Sequence, residues 1–437
     1  MSDDILAVLQ RQSDLSKIKL IGKGGASSVY KAIQQSTAGE KSQIVRVISD
    51  IRNHHSIKRE KDLLNYLNQF SDFFHFNEIR KVGLYYLQFF DYKSKFNLKQ
   101  QIKKKGPLSS TSTKTLLVNM ISTLDKVHKV GFVHGDIKPT NIVVSAKQYF
   151  LIDWTQSIPF LSSFDAEIMV GDKRYSPPER LNGLLDEKSD IYSLGCTLYY
   201  ALTGKHIYRL DKVEDTNLQL WAQVHHSIHK LNTVPVLWRN LIVWMTQKEP
   251  LKRPSLLELQ KWLEGGPIPK WVLRSLVESE QAMPADPIAI LASENYLYPI
   301  FRQALMYEDE GNLSMAFKLY ERCALRGYSR AENNLGLMYE RGKSVKPSYT
   351  MAISMYQRAV KKGNPFAANN LARLSEKGIG MPINLGQAYK LHKFAALRGN
   401  LKSQNSLGLM YQKGSGMNVN LSQARFWFDI AATHRNK

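Results

Sequence analysis

The stretch His134-Gly135-Asp136-Ile137-Lys138-Pro139-Thr140-Asn141, followed by Asp153 within Phe150-Leu151-Ile152-Asp153-Trp154, decides the fold. An Asp, a Lys two residues on and an Asn five residues on can share one tight loop. A second Asp comes twelve positions after that Asn and ends an apolar, strand-like run. The set suits phosphoryl transfer. One carboxylate orients a hydroxyl, the Lys offsets phosphate charge, and the Asn and second Asp hold magnesium. Any one of these residues alone reads as a solvated loop charge; their joint spacing does not.

Upstream lies Ile21-Gly22-Lys23-Gly24-Gly25-Ala26-Ser27-Ser28-Val29-Tyr30, between two strand-like runs. Glycines there let backbone amides lie against phosphates. Alone, such a turn is usually a hairpin; its place ahead of Asp136 gives it weight. The next strand-like run, Gln43-Ile44-Val45-Arg46-Val47-Ile48, carries one cation, Arg46. A helical pattern around Ile57–Phe70 carries Glu60.

In this order and spacing, Leu20 to Leu263 resembles the eukaryotic-type (Hanks-type) serine/threonine protein kinase domain. The resemblance implies an α+β two-lobed protein-kinase fold that uses ATP and Mg2+. It makes Asp136 the residue that orients the acceptor hydroxyl, with Lys138 and Asn141 beside it. Asn141 and Asp153 become the metal ligands. Gly22, Gly24, Ser27 and Val29 match the phosphate-covering loop, with Ser27 at its third Gly. Arg46 stands where the family carries the Lys that grips the α- and β-phosphates, and Glu60 suits its partner. Glu179 and Arg253 match a structural ion pair, and Asp190 the Asp that bonds the catalytic-loop backbone. Phe90 falls near the gatekeeper position, with the adenine hinge at Asp91–Lys93.

The chain also departs from the family. Gly135 replaces the Arg before the catalytic Asp, so activity is expected not to need loop phosphorylation. Asp153-Trp154-Thr155 replaces D-F-G, and Thr155 removes a permissive Gly. Asp172 stands where a Thr is usual, and a carboxylate there repels Asp136 unless Lys138 or Lys173 shields it. Arg46 is read as an impaired anchor because its planar fork places charge differently from an ammonium. Lys23, Lys31 or Lys41 are candidates to compensate. Arg46, Asp172 and Thr155 together also fit a pseudokinase acting as a nucleotide-binding or structural scaffold. The retained Asp136, Lys138, Asn141 and Asp153 favour an enzyme.

The last third repeats. Leu335, Leu371 and Leu407 are 36 apart, as are Ala316, Ala352, Ala388 and Ala424. Asn334-Leu335-Gly336-Leu337-Met338-Tyr339 returns as Ser406-Leu407-Gly408-Leu409-Met410-Tyr411. Each unit reads as two helices joined by a Gly-containing loop, stacking into an all-α solenoid. The units resemble Sel1-like repeats: a partial unit near Ala304–Tyr307, then three of 36-residue period. The expected boundaries are an N-terminal extension at 1–17, a kinase domain at 18–265 (small lobe 18–92, large lobe 93–265), a linker at 266–297 and repeats at 298–437.

The chain has 437 residues and is 43% apolar and 22% charged, which places it among globular rather than disordered proteins. No run of about 18 apolar residues occurs, so no membrane span is expected. Cys196 and Cys323 sit in apolar, helix-like surroundings and read as buried free thiols of a cytoplasmic protein. Net charge is +22, which suits acidic partners more than neutral ones. Specific nucleic-acid binding is not expected. The implied partners are a protein substrate and proteins captured by the repeats.

Overall fold

The computed structural model describes residues 2–23, 27–36, 39–71, 73–83, 85–92, 96–146, 148–159, 172–208, 216–225, 228, 231–274 and 285–435. Gly24, Lys93 and residues 160–171 of the activation segment lie outside these.

Five antiparallel strands form the small lobe: β1 (Leu15–Lys23), β2 (Ser27–Ser36), β3 (Gly39–Ser49), β4 (Phe76–Val82) and β5 (Tyr85–Asp91). Their order across the sheet is β1-β2-β3-β5-β4. Side chains alternate along a strand. Val45 and Val47 therefore share one face and bury with Leu87 and Phe89. Helix α1 (Ser2–Gln10) contributes Leu9 to the same cluster, so the N-terminal extension closes the sheet's outer face. The same alternation turns Arg46 to the opposite face, toward the cleft. Helix α2 (Asp50–Leu67) begins earlier than the sequence pattern suggests. It ends where Asn68 bonds the Phe76 backbone, Nδ2 to O at 2.6 Å and N to Oδ1 at 2.8 Å.

The large lobe is built on helices Ser110–Lys129 and Glu187–Thr203, whose apolar residues make one core with helix Val236–Met245. Gly195 permits the close approach: a Cβ there would lie 2.8 Å from Thr246 Cγ2 and 2.9 Å from Met245 Cβ. Cys196 is buried in this core and Cys323 in the repeats, both unpaired.

Beyond the domain, helices Pro287–Ser293, Leu297–Asp309 and Leu313–Leu325 precede three helix pairs. These pairs are Ser329–Arg341 with Tyr349–Lys361, Pro365–Lys377 with Leu385–Ala396, and Leu401–Lys413 with Leu421–Arg435. Ala316, Ala352 and Ala388 are fully buried and Ala424 nearly so, as contact positions between paired helices require. The segment expected as linker is helical from Pro287 and packs on the large lobe. Leu291 buries with Leu181, Leu220 and Trp221, and Asn182 Oδ1 accepts the Leu297 amide at 3.1 Å. At the far end, Phe426 of the last helix lies 5.7 Å from the Lys81 ammonium of β4. Among the described residues no helix is long and apolar enough to cross a membrane.

Candidate active site

The catalytic loop is hung from one buried carboxylate. Asp190 accepts the amides of His134 and Gly135 at 2.8 and 2.9 Å, and its Oδ2 meets His128 Nε2 at 2.9 Å. Burial pushes the Asp190 carboxyl up, but the His128 bond and the loop amides outweigh it and hold it below the usual range. Gly135 has φ +75° and its Cβ would sit 3.1 Å from Gln156 O, so the loop here suits glycine. The Gly135 carbonyl accepts Arg180 Nη1 at 2.6 Å.

From that support the candidate catalytic side chains project together. Lys138 Nζ donates to Asp136 Oδ2 at 2.7 Å. Asn141 Nδ2 donates to the same oxygen at 3.0 Å and to the Asp136 carbonyl at 2.9 Å. The Ile152 amide donates to the Asn141 carbonyl at 2.9 Å, which fixes the Asp153 loop against the catalytic loop. His134 packs edge-on against Trp154, ring centres 4.6 Å apart, and bonds the Ile152 carbonyl. These contacts fit a structural strut.

Arg46 is the hub on the small-lobe side. Its Nη1 donates to Glu60 Oε1 at 3.0 Å and Gln88 Oε1 at 3.3 Å. Its Nη2 donates to Asp153 Oδ1 at 2.7 Å and Thr155 Oγ1 at 3.4 Å, and its Nε to Ser27 Oγ at 3.5 Å. Burial pushes the guanidinium pKa down, but the charges of Asp153 and Glu60 outweigh it and leave it above its ordinary value. Burial also raises Asp153, yet Arg46 and the Thr155 hydroxyl, which donates at 2.6 Å, hold it below the usual carboxylate range. Glu60 goes the other way. Its burial, with the Asp153 charge added, exceeds what Arg46 and Gln88 return, and its pKa is raised.

Of the other candidates, Gly22 and Val29 face each other across β1 and β2. Lys31 lies over the Tyr92 ring at 4.0 Å and Lys41 pairs with Asp91 at 2.7 Å, so both are engaged at the hinge end of the sheet rather than beside Arg46. Phe90 packs on Phe76. Asp172 corrects an expectation. Neither Lys138 nor Lys173 shields it; Arg174 takes it in a fork, Nε at 2.7 Å and Nη2 at 2.6 Å. Glu179 and Arg253 form the buried pair, at 2.6 and 2.8 Å.

Five contributors escaped the sequence reading: Gln88, Thr155 as a bonding partner, Arg174, His128 and Arg180. Gln88 left a signal, being the lone uncharged polar residue inside the apolar strand Tyr85-Tyr86-Leu87-Gln88-Phe89-Phe90 and opposite Arg46 in register. The residues fit a magnesium ion. Asn141 turns its amide nitrogen to Asp136, which leaves Oδ1 as an acceptor. Asp153 binds protein through Oδ1, and among the described residues no hydrogen bond takes Oδ2. Both are hard oxygen donors.

Comparison with known proteins agrees with this geometry. The protein kinase domain model matches residues 15–263, and the Sel1 repeat model matches 329–364, 365–400 and 401–436. The chain belongs to the protein kinase family and carries three Sel1 repeats after the kinase domain. The serine/threonine-protein kinase PknD of Mycobacterium tuberculosis is 30% identical over 230 residues, 49% of this chain and 33% of that protein. Serine/threonine-protein kinase D of Synechocystis is 25% identical over 306 residues, 64% of this chain and 56% of that protein. A Wee1-like protein kinase of rice (Oryza sativa) is 27% identical over 256 residues, 57% of this chain and 46% of that protein. The matches thus span between a third and just over half of these relatives.

Proposed function

We propose that the chain is an ATP- and magnesium-dependent serine/threonine protein kinase whose repeats recruit a protein substrate or regulator. One observation carries this reading. Asp136, Lys138 and Asn141 converge on a single carboxylate oxygen, with Asp153 braced against them through the Ile152–Asn141 backbone bond. A chain released from catalysis has no chemical need to keep all four residues in this arrangement.

In the proposed reaction Asp136 orients the acceptor hydroxyl and takes its proton as that oxygen bonds the γ-phosphorus and the bond from the γ-phosphorus to the β-phosphate oxygen breaks, releasing ADP. Lys138 offsets charge on the transferred phosphoryl group, and Asn141 holds Asp136 in place. Asn141 and Asp153 would hold a magnesium ion, which when bound would neutralise charge on the triphosphate. Catalysis is then chiefly positioning and electrostatics. The buried thiols fit a reducing, cytoplasmic setting.

The test is thermal shift with ATP and Mg2+, followed by transfer of labelled γ-phosphate to a general acceptor protein, for wild type and Asp136→Asn. Stabilisation in both and transfer in wild type alone supports the enzyme. No stabilisation and no transfer refutes it. Stabilisation without transfer in wild type assigns a nucleotide-binding scaffold, which the fully engaged donors of Arg46 would then explain.

A further inference from the structure

The first two repeats carry the same charge device, complete in one and lacking its acid in the other. In the first, Glu332 is the fourth residue of the unit and is fully buried. It takes Arg358 at 2.8 Å and Lys362 at 2.7 Å from the end of the paired helix. In the second unit the matching places hold Ala368, Phe394 and Arg398, each 36 residues on. The acid is gone, one cation has become a ring, and the other cation stays.

Arg398 stacks on that ring, with its guanidinium carbon 3.7 Å from the Phe394 centre. Its one hydrogen bond among the described residues runs from Nη1 to the Phe394 carbonyl at 3.3 Å, leaving Nη2 and Nε without a protein acceptor. Burial alone pushes its pKa down to about 10, and no carboxylate opposes that. A half-buried cation in this state gains from any acid that reaches it. Stacking fixes the plane of the fork, so its free edge is presented for paired hydrogen bonds.

The surroundings favour an incoming anion. Residues 341–437 carry 16 Lys and Arg against two acids, Glu376 and Asp429. Glu376 faces His392 at 3.7 Å and Asp429 faces Arg425 at 3.9 Å, so each already has a cationic neighbour of its own.

We infer that Arg398 anchors a carboxylate of an acidic protein segment, which gives this cation the acid that Glu332 supplies to Lys362 in the preceding unit. A carboxylate is chosen over a phosphate because the matching cation of the preceding unit, Lys362, pairs with a carboxylate. The inference deepens the recruitment reading and rests on it only for its purpose in the cell.

The probe is a labelled decaglutamate peptide, with binding to the full chain read by fluorescence anisotropy without nucleotide. Failure of phosphate transfer therefore leaves the result untouched. Arg398→Gln is expected to weaken binding about tenfold, the scale of one desolvated charge-assisted pair. Arg425→Gln, at an exposed arginine, changes it less than about twofold. Ala368→Glu, which restores the internal acid, weakens binding as Arg398→Gln does. Equal losses for Arg398→Gln and Arg425→Gln, or none for Arg398→Gln, overturn the site in favour of diffuse charge. A phosphoserine peptide or oligothymidine that depends on Arg398 where decaglutamate does not overturns the choice of carboxylate. Should Ala368→Glu fail to fold, the two arginine variants still decide.

Discussion

Arg46 and Asp153 are joined by a 2.7 Å ion pair, so the cation at the position expected to hold nucleotide is engaged by the proposed metal ligand. Every nitrogen of the Arg46 fork already faces a protein acceptor. To reach a phosphate the arginine must give up one of them. A lysine has three donors, enough for Glu60 and Asp153 with one to spare. Arg46→Lys is therefore expected to raise kcat/KM for ATP. Gaining one charge-assisted hydrogen bond corresponds to about tenfold. Steady-state kinetics with varied ATP reads it; an unchanged or lowered value shows that the arginine is the fitted residue.

The catalytic loop depends on Asp190, which gathers two amides and His128 on one buried carboxylate. In Asp190→Asn, one oxygen acceptor becomes an NH2 group facing an N–H donor or the His128 ring. The expected cost is about 2 kcal/mol of stability, the usual penalty for leaving a buried donor unpaired. Turnover should fall with it because Asp136 sits on the same loop. The pH dependence has a fixed sign. The folded Asp190 pKa lies below its ordinary 3.8, so its stabilisation is full above that value and is lost as pH falls through the folded one. Urea melts from neutral to acid pH should show a shallower acid limb in Asp190→Asn. Parallel limbs would remove Asp190 from the account.

Much of this was legible because the site is local in sequence. Asp136, Lys138 and Asn141 are close in sequence, and their spacing alone placed them on one tight loop; that Lys138 and Asn141 meet on one Asp136 oxygen is seen only in the structure. The period of 36 likewise marked Ala316, Ala352, Ala388 and Ala424 as contact positions, and they are buried. What was not legible depended on geometry across elements. Asp172 looked like a threat to Asp136, yet the nearby Arg174 folds back on it through a single 3-10 turn. The reach of Arg46 to Thr155 spans 109 residues, and no local pattern encodes it. The docking of the helix from Pro287 was not legible, because its apolar face is completed by Leu181, Leu220 and Trp221, more than sixty residues upstream.

Lys248 supplies a second titration, away from the nucleotide site. It is half-buried and donates to Tyr208 Oη at 2.7 Å and to the Gln223 carbonyl at 2.6 Å. Burial pushes its pKa down to about 7 from an ordinary 10.5. Between those values the unfolded chain holds the extra proton, so unfolding free energy rises with pH, by at most about 1.4 kcal/mol per unit. Cys196 acts oppositely from pH 9 upward, because burial raises its thiol to about 12 while the unfolded thiol ionises at 9.0. The clean window is therefore pH 7 to 9. Across it wild type should gain roughly 1 to 2 kcal/mol more than Lys248→Met in urea melts. Equal slopes for the two would mean that Lys248 stays protonated in the fold.

In the repeats, small residues are matched to the ring opposite. A Cβ on Gly336 would come within 2.5 Å of the Tyr356 ring, and one on Gly408 within 2.6 Å of the Phe428 ring. The middle unit carries Ala372 at this place, and the aligned partner is the smaller His392. Glycine inside a helix costs about 1 kcal/mol relative to alanine, so it persists where a ring needs the space. Gly336→Ala sets two effects against each other. Better helix propensity returns about 1 kcal/mol, while overpacking costs about 1–3 kcal/mol. The contact is with a buried ring held by Glu340 at 2.9 Å through its hydroxyl, which restricts its retreat. Overpacking should therefore win, and Gly336→Ala should lose about 1 kcal/mol in urea melts. Ala372→Gly, which removes a methyl and adds backbone freedom, should lose about the same. The double variant Gly336→Ala with Tyr356→His reproduces the middle unit's pairing and should regain part of the loss. A stabilised Gly336→Ala single variant would show that the ring moves aside and that the glycine has no packing role.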